Sequence, residues 1–263
     1  MKKMKLINLA FLTVLFELAS CQKVVHFDLN KGDPRIVIEG GITDQISSCS
    51  IKLTKTVNYD QSNVFPNVSG AIVTISDDFG NNATLLETVN GVYTAPSYVG
   101  LPGRVYTLSV LIDGKTFTAV SSMGSPVSID TLIQVTGGDN EISVNAIYQD
   151  PAGIENYYRF VANVNGKTSK AILVQEDKLR DGLTVTEELA DVESINMGDT
   201  VIIYLESIDK STFQYFNTLK DLSDGSGSLF GNVTLANPVS NVTGGALGFF
   251  SAHAVRKKKI IIQ

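Results

Sequence analysis

Val68-Ser69-Gly70-Ala71-Ile72-Val73-Thr74-Ile75-Ser76-Asp77-Asp78-Phe79-Gly80 is the stretch on which the fold turns. Ala71, Val73 and Ile75 alternate with Ile72, Thr74 and Ser76, so one parity is set up to face a core. Asp77 to Asn82 then supplies turn chemistry, with Gly80 free to take a positive φ. The same period of two spreads in both directions. Upstream, Ile36, Ile38 and Ile42 share one parity, as do Cys49, Ile51, Leu53 and Val57 in a strand expected over 47–57. The polar stretch 58–67, with Pro66, reads as a loop. Downstream, short strands are expected over 84–87 and 91–94. Tyr106, Leu108, Val110 and Ile112 alternate next, and Asp113-Gly114 is a two-residue hairpin signal into 115–120. About seven short strands in some 90 residues, without a helical period, predict a β-sandwich of immunoglobulin or prealbumin type over 34–124.

Composition agrees. Val, Ile and Thr make up 70 of the 263 residues, a β-branched weight that favours sheets over helix bundles. With 18% charged and 43% hydrophobic residues, the chain is neither disordered nor supercharged. The stretch 121–128, with Gly124 and Pro126, marks a domain boundary, and a second β-rich domain is expected over 125–263. Its strands read at 127–135, 141–148, 156–164, 200–208, 246–255 and 259–262, with Asn165-Gly166 as a second hairpin signal. One amphipathic helix is expected at about 211–222. Ser211 and Gln214 form a capping box, and Phe213, Phe216, Leu219 and Leu222 form an apolar stripe. Residues 224–228 (DGSGS) read as a surface connection. The fold class is therefore mainly β, two β-sandwich-like domains with a single helix in the second.

The first 20 residues read as an address. Lys2, Lys3 and Lys5 precede an apolar run over 6–16, too short for the ~20 residues that span a bilayer. Leu18-Ala19-Ser20-Cys21 resembles the bacterial lipobox, in which cleavage precedes the cysteine and the Cys21 thiol takes a lipid. Residues 21–33 would then be a tether. Removing residues 1–20 takes away three lysines and one glutamate, and the formal charge moves from −6 to −8. An acidic chain argues against nucleic acid or anionic lipid as the main partner. The basic run Arg256-Lys257-Lys258-Lys259 reads as the solvated end of a last strand. With Cys21 lipidated, Cys49 stands alone, and its parity makes it a core residue.

The chain resembles a Bacteroidetes outer-membrane lipoprotein family, domain of unknown function 4249. The resemblance is carried by 36–44 (IVIEGGITD), 68–80, 101–110 (LPGRVYTLSV), 150–160 (DPAGIENYYRF), 198–222 (opening GDTVIIYLES) and 237–252 (NPVSNVTGGALGFFSA). It implies a lipid-anchored protein of the outer membrane, paired with a TonB-dependent receptor, and brings no catalytic residues. Gln22-Lys23 resembles part of the surface-export signal of such lipoproteins. Val24 and Val25 stand where its acidic pair is expected, which leaves the membrane face open.

A search for chemistry finds no zinc-protease, redox, phosphate-binding or nucleophile-elbow motif. Ser207-Ile208-Asp209-Lys210 matches S-x-x-K but falls at a strand end. His26 and His253 lack neighbours at ligand spacing, so no metal and no cofactor is expected. Asp77, Asp78, Asn81 and Asn82 miss the calcium-loop spacing. The acid pairs Glu176-Asp177 and Glu187-Glu188 point to opposite faces of a strand. Asp130-Thr131-Leu132 and Asp199-Thr200-Val201 look like glycosylation acceptors. In Tyr157-Tyr158-Arg159-Phe160, alternation places Tyr157 and Arg159 on one face, and these two are the candidate binding residues. The expectation is a non-enzymatic accessory or binding lipoprotein of a TonB-dependent uptake system. The alternative is a structural or adhesive surface protein.

Overall fold

The strand read from Val73 and Ile75 lies deep in the first of two cores, both residues fully buried. The structure is a computed structural model that describes residues 33–58, 61–62, 64–138, 141–189, 192, 194–223 and 237–263. The expected export segment, Cys21, His26 and the 224–228 connection lie outside the described residues, and of the tether only Asp33 lies within them. Residues 34–263 form one compact unit. It is built from β1 (Ile36–Thr43), β2 (Ser50–Lys55), β3 (Ile72–Asp77), β4 (Asn82–Val89), β5 (Val92–Thr94), β6 (Val105–Ile112) and β7 (Lys115–Ser122). Then follow β8 (Ile129–Thr136), β9 (Ile142–Gln149), β10 (Tyr157–Val164), β11 (Lys167–Thr168), β12 (Leu173–Glu176), β13 (Thr184–Glu188), β14 (Thr200–Ile208), α1 (Lys210–Ser223) and β15 (Leu247–Ile261). The fold is mainly β, with a single helix among the described residues.

Twelve strands run as one path, β11-β10-β14-β15-β1-β2-β5-β4-β3-β6-β7, with β12 beside β10. The path curls on itself, so that Ala119 of β7 bridges Val242, just before β15. Ile38, Ile51, Leu53, Val73, Ile75, Leu108 and Val110 fill the space inside. A separate three-stranded sheet, β13-β9-β8, covers one face of β10-β14-β15. Between them Val144, Tyr148, Tyr158, Phe160, Val201, Ile203 and Leu205 form the second core. On the opposite face of β10 and β15 lies α1, over a third cluster of Tyr157, Val174, Ile208, Tyr215 and Phe216. The two hairpin signals are realised with left-handed backbones at Asp113-Gly114 (φ 50° and 74°) and Asn165-Gly166 (φ 51° and 86°).

Three expectations need correction. The strands expected at 246–255 and 259–262 are one strand of 15 residues. Its first part, Leu247 to His253, pairs in parallel with β1. From Ala254 onward it pairs antiparallel with β14. Consequently a cut at 124/125 does not separate the cores, because Val242, Ala246, Phe250, Ala252 and Ala254 belong to the first. The linker itself is stapled in place. Ala252 N–H donates to Ser121 Oγ at 2.8 Å, Ser122 N–H to Asp209 Oδ2 at 3.1 Å, and Val127 N–H to Ser207 Oγ at 3.3 Å. The basic run is also not merely a solvated end. Arg256 pairs with Asp44 at 2.6 Å, and Lys258 Nζ donates to the Asp130 carbonyl.

The parallel β1–β15 seam is closed by glycine. A Cβ on Gly41 would sit 1.8 Å from the Ser251 carbonyl oxygen, and one on Gly248 would sit 2.0 Å from that of Ile38. Gly248 also holds φ +93°, which L side chains rarely adopt. Either clash is with backbone, so relief requires moving a strand. Gly41→Ala is expected to destabilise the chain by more than about 3 kcal/mol, read from the urea midpoint, whereas Gly124→Ala, with open space around it and no left-handed backbone to strain, costs far less.

Candidate functional site

The first turn of α1, the loop before β10 and the loop after β12 enclose a cavity of about 490 Å³. Its walls are Gly153, Ile154, Glu155, Tyr157, Glu176, Asp177, Lys178, Asp181, Lys210, Phe213 and Gln214. A second recess of about 380 Å³ shares Ile154, Glu155, Tyr157 and Lys210 and reaches Ser122, Gly124 and Ser125 of the linker. Helix position is set by Asp209, one residue before α1. Its Oδ1 accepts from Thr212 N–H at 2.8 Å and from the Ser211 hydroxyl at 2.9 Å. Asp209 is thus the N-cap, and the Ser211–Gln214 capping box is corrected. Lys210 interrupts the apolar pattern that marks a helix start, which shifts the expected cap by two residues. Phe216 of the expected stripe is buried, Phe213 and Leu219 pack against it, and Leu222 is exposed.

Tyr157 stands at the centre of this wall. Its hydroxyl donates to Glu155 Oε1 at 2.5 Å, and Lys210 Nζ meets the same oxygen at 3.1 Å. The Phe213 ring lies 5.1 Å from the Tyr157 ring, centroid to centroid. Hydrogen bonds from Tyr157 and then Lys210 hold the Glu155 carboxyl below its ordinary range. Burial, and then the bond to Glu155, push the Tyr157 phenol up. The Glu155 contact likewise raises Lys210. The three side chains therefore keep their usual protonation over the physiological range and act as fixed donors and acceptors.

Arg159 shares the face of Tyr157, as alternation requires, but it is not among the cavity walls. Its Nη1 pairs with Glu206 Oε2 at 2.9 Å, and the guanidinium lies 4.2 Å from the Phe216 ring centroid. The helix that sequence placed at a distance folds back over it. Tyr158 and Phe160 point to the second core, again as alternation requires.

A carboxylate group that no local sequence pattern announces overlaps this wall, since Asp177 and Asp181 line the cavity and Asp150 is buried beside them. Carboxylate oxygens of Asp150, Asp177 and Asp181 lie within 4.8 Å of one another, the first two buried. Asp150 accepts the Tyr158 hydroxyl at 2.6 Å and Gly182 N–H at 3.1 Å. Asp177 accepts Asn156 N–H at 2.8 Å, and Asp181 accepts Gly153 N–H at 2.6 Å. These bonds clamp the 150–156 and 177–182 loops together, and oxygen donors at this spacing are of the type that suits a hard cation. The available signal was the acid of 150–160 (DPAGIENYYRF), which falls directly after a strand. Glu187, by contrast, is neutralised by Arg180 at 2.5 Å while Glu188 faces solvent, as the opposite-face reading of that pair requires.

The remaining candidates are enclosed. Cys49 is buried, and burial pushes its thiol up to about 11. Ser207 is buried and holds the linker, and Lys210 turns instead to Glu155. Ser251 Oγ lies 2.9 Å from His253 Nδ1, and His253 Nε2 lies 3.8 Å from Glu206. That serine is 1% exposed, so a substrate has no path to it. The roles of the two ring nitrogens are also reversed from those of a serine-hydrolase triad.

Two outcomes are expected. Asp150→Ala strands the Tyr158 hydroxyl and Gly182 N–H in the interior and should cost about 2–4 kcal/mol in urea unfolding. The His253 imidazole is pushed below its ordinary value by burial, against the pull of Glu206 and with the push of Arg159; Asp44 and Asp209 act more weakly. A depressed imidazole favours the neutral form in the fold. Its contribution is complete above about pH 6.5 and is lost as pH falls toward the folded-state value. Urea midpoints taken at about pH 7.5 and about pH 5 should fall more for the parent chain than for His253→Gln.

With the geometry in place, three comparisons bear on the chain. A family model described as "Domain of unknown function (DUF4249)" matches residues 22–259. No curated protein matches. Among solved structures, a two-domain fibronectin type-III segment of chicken tenascin aligns at 14% identity and a TM-score of 0.22, over 66% of this chain and 91% of that one.

Proposed function

The chain belongs to the DUF4249 family, and from that premise we propose that it is a non-enzymatic, lipid-anchored protein of the outer membrane that serves as the binding or accessory component of a TonB-dependent uptake system. Cys21 carries the lipid, and the cavity around Tyr157 is the recognition surface. The observation that carries the binding role is the way chemistry is distributed. The serine, cysteine and histidine that could drive covalent or acid–base catalysis are enclosed in packed sheet. The open cavity is instead lined by Tyr157, Glu155 and Lys210, which hydrogen-bond one another and keep fixed charges. Such a surface orients a ligand or a partner through an aromatic body and a polar edge, the combination enriched in recognition sites. Arg159 contributes from beneath, by fixing Phe216 of the helix whose first turn forms one wall.

Tagged protein purified from native membranes and identified by mass spectrometry should recover a TonB-dependent receptor and show a diacylglycerol-modified N-terminal Cys21. Recovery of the lipidated chain without any such receptor overturns the partner assignment. A chain that retains residues 1–20 and an unmodified Cys21 overturns the anchor.

A further inference from the structure

The strand register gives the N-terminal sandwich two poles. Ile36 of β1 pairs with Lys55, the last residue of β2, and Leu247 at the start of β15 pairs with Val37. The β4–β5 turn at Asn90-Gly91 and the β6–β7 turn at Asp113-Gly114 lie at the same pole. Here the chain enters the fold. Thr56 N–H donates to the Arg35 carbonyl, and Arg35 N–H to the Thr56 hydroxyl, both at 2.9 Å. Phe79 and Val105 lie at the other pole, where β7 leads on to the second core.

The entry pole carries apolar side chains that nothing among the described residues covers. Lys55 N–H donates to the Pro66 carbonyl, which brings the adjoining Val64 and Phe65 beside the entering chain. Val64 is 72% exposed and Phe65 53% exposed. On the outer face of the same pole, exposed Ile72 pairs across the sheet with Leu111, and exposed Val89 closes β4. Lys55 and Lys115 stand among them, neither in an ion pair with an acid among the described residues. Asp33 and Asp113 share the pole, so the charge pattern suits a zwitterionic or mixed headgroup zone.

What covers this pole follows from where the preceding chain leads. Cys21 lies 12 residues before Asp33. Twelve residues reach at most about 40 Å even when fully extended. A lipidated Cys21 therefore confines this pole, and no other part of the fold as closely, to the vicinity of the bilayer. We propose that the entry pole is a membrane-contact surface, with Phe65 and Val64 seated in the lipid interface. Apolar side chains with basic neighbours are the composition that settles about 5–10 Å into the headgroup boundary. The inference rests on the lipid anchor proposed above.

The chain contains no tryptophan, so one introduced tryptophan is an unambiguous reporter. Phe65→Trp and, at the far pole, Phe79→Trp are made in the full-length lipidated protein and reconstituted into phosphatidylethanolamine–phosphatidylglycerol vesicles containing acyl-brominated lipid. Phe65→Trp emission should be blue-shifted and quenched by bromine at least about twofold more than Phe79→Trp. Equal quenching of the two, or none, overturns the contact. Blue-shifted emission of Phe65→Trp without bromine quenching gives the pole to a protein partner and overturns it as well. Flotation separates the two readings. Protein that floats with vesicles but shows no quenching keeps its anchor and loses only the pole contact. Protein that does not float loses both.

Discussion

The close approach of β1 and β15 is the constraint that the rest of the molecule obeys. Two glycines, Gly41 and Gly248, let a parallel pair form between the first strand and the last, and each would drive a Cβ into a facing carbonyl if replaced. A parallel neighbour of this kind cannot come from a hairpin, so the chain must complete almost its entire course before the first core closes. Phe250 and Ala252 reach that core through this pairing, and Ala254 directly after it. Because the same strand continues beside β14, both cores share one backbone segment, and motion of either half strains the other.

The helix side of the structure is a consequence of that seam. Once β15 is fixed against β1, its alternate residues Phe249, Ser251 and His253 are turned away from the first core. Phe249 receives Tyr215 and Phe216 of α1, both rings with centroids 4.8 Å from its own. Glu206, from β14, holds Arg159 of β10 at 2.9 Å, and Arg159 in turn lies under Phe216. The middle of the helix is therefore positioned by three strands at once. Asp209 adds a link to the linker through Ser122 N–H. The cavity wall made by Lys210, Phe213 and Gln214 inherits this rigidity, which favours a preformed recognition surface over one assembled on binding.

Local information carried most of the strands. Tyr106, Leu108, Val110 and Ile112 are all buried, and the Asp113-Gly114 and Asn165-Gly166 turns take the left-handed backbone that their composition invites. What escaped was non-local. Nothing near Gly248 announces a parallel partner some 200 residues earlier, so β15 read as two pieces and as property of the second half alone. Arg256 and Lys258 read as solvated because their partners, Asp44 and the Asp130 carbonyl, come from distant segments. The candidate site divides in the same way. Parity alone put Tyr157 and Arg159 on a common face, but only the return of α1 decides that one lines a cavity and the other is clamped. Asp150, Asp177 and Asp181 converge from two loops joined by hydrogen bonds from backbone N–H groups to their own carboxylates, and no spacing rule reaches across such a gap.

The placement of the cavity relative to the entering chain gives the fold a direction. Residues 33–35 enter at the pole farthest along β1 from the linker, while the cavity opens at Tyr157 and Lys210 and its neighbouring recess touches Ser122, Gly124 and Ser125. An anchor attached before Asp33 therefore leaves the length of the first sandwich between the attachment point and the recognition surface. For an anchored protein that separation has a physical use. Under the proposed anchor, with the entry pole at the bilayer, Glu155 and Lys210 would stand beyond the screening length of about 8–10 Å from headgroup charge. A second domain docked loosely would lose that advantage through swinging. The shared strand and the stapled linker prevent it, and the same glycine-closed seam that completes the first core thus also fixes the distance at which the site is held.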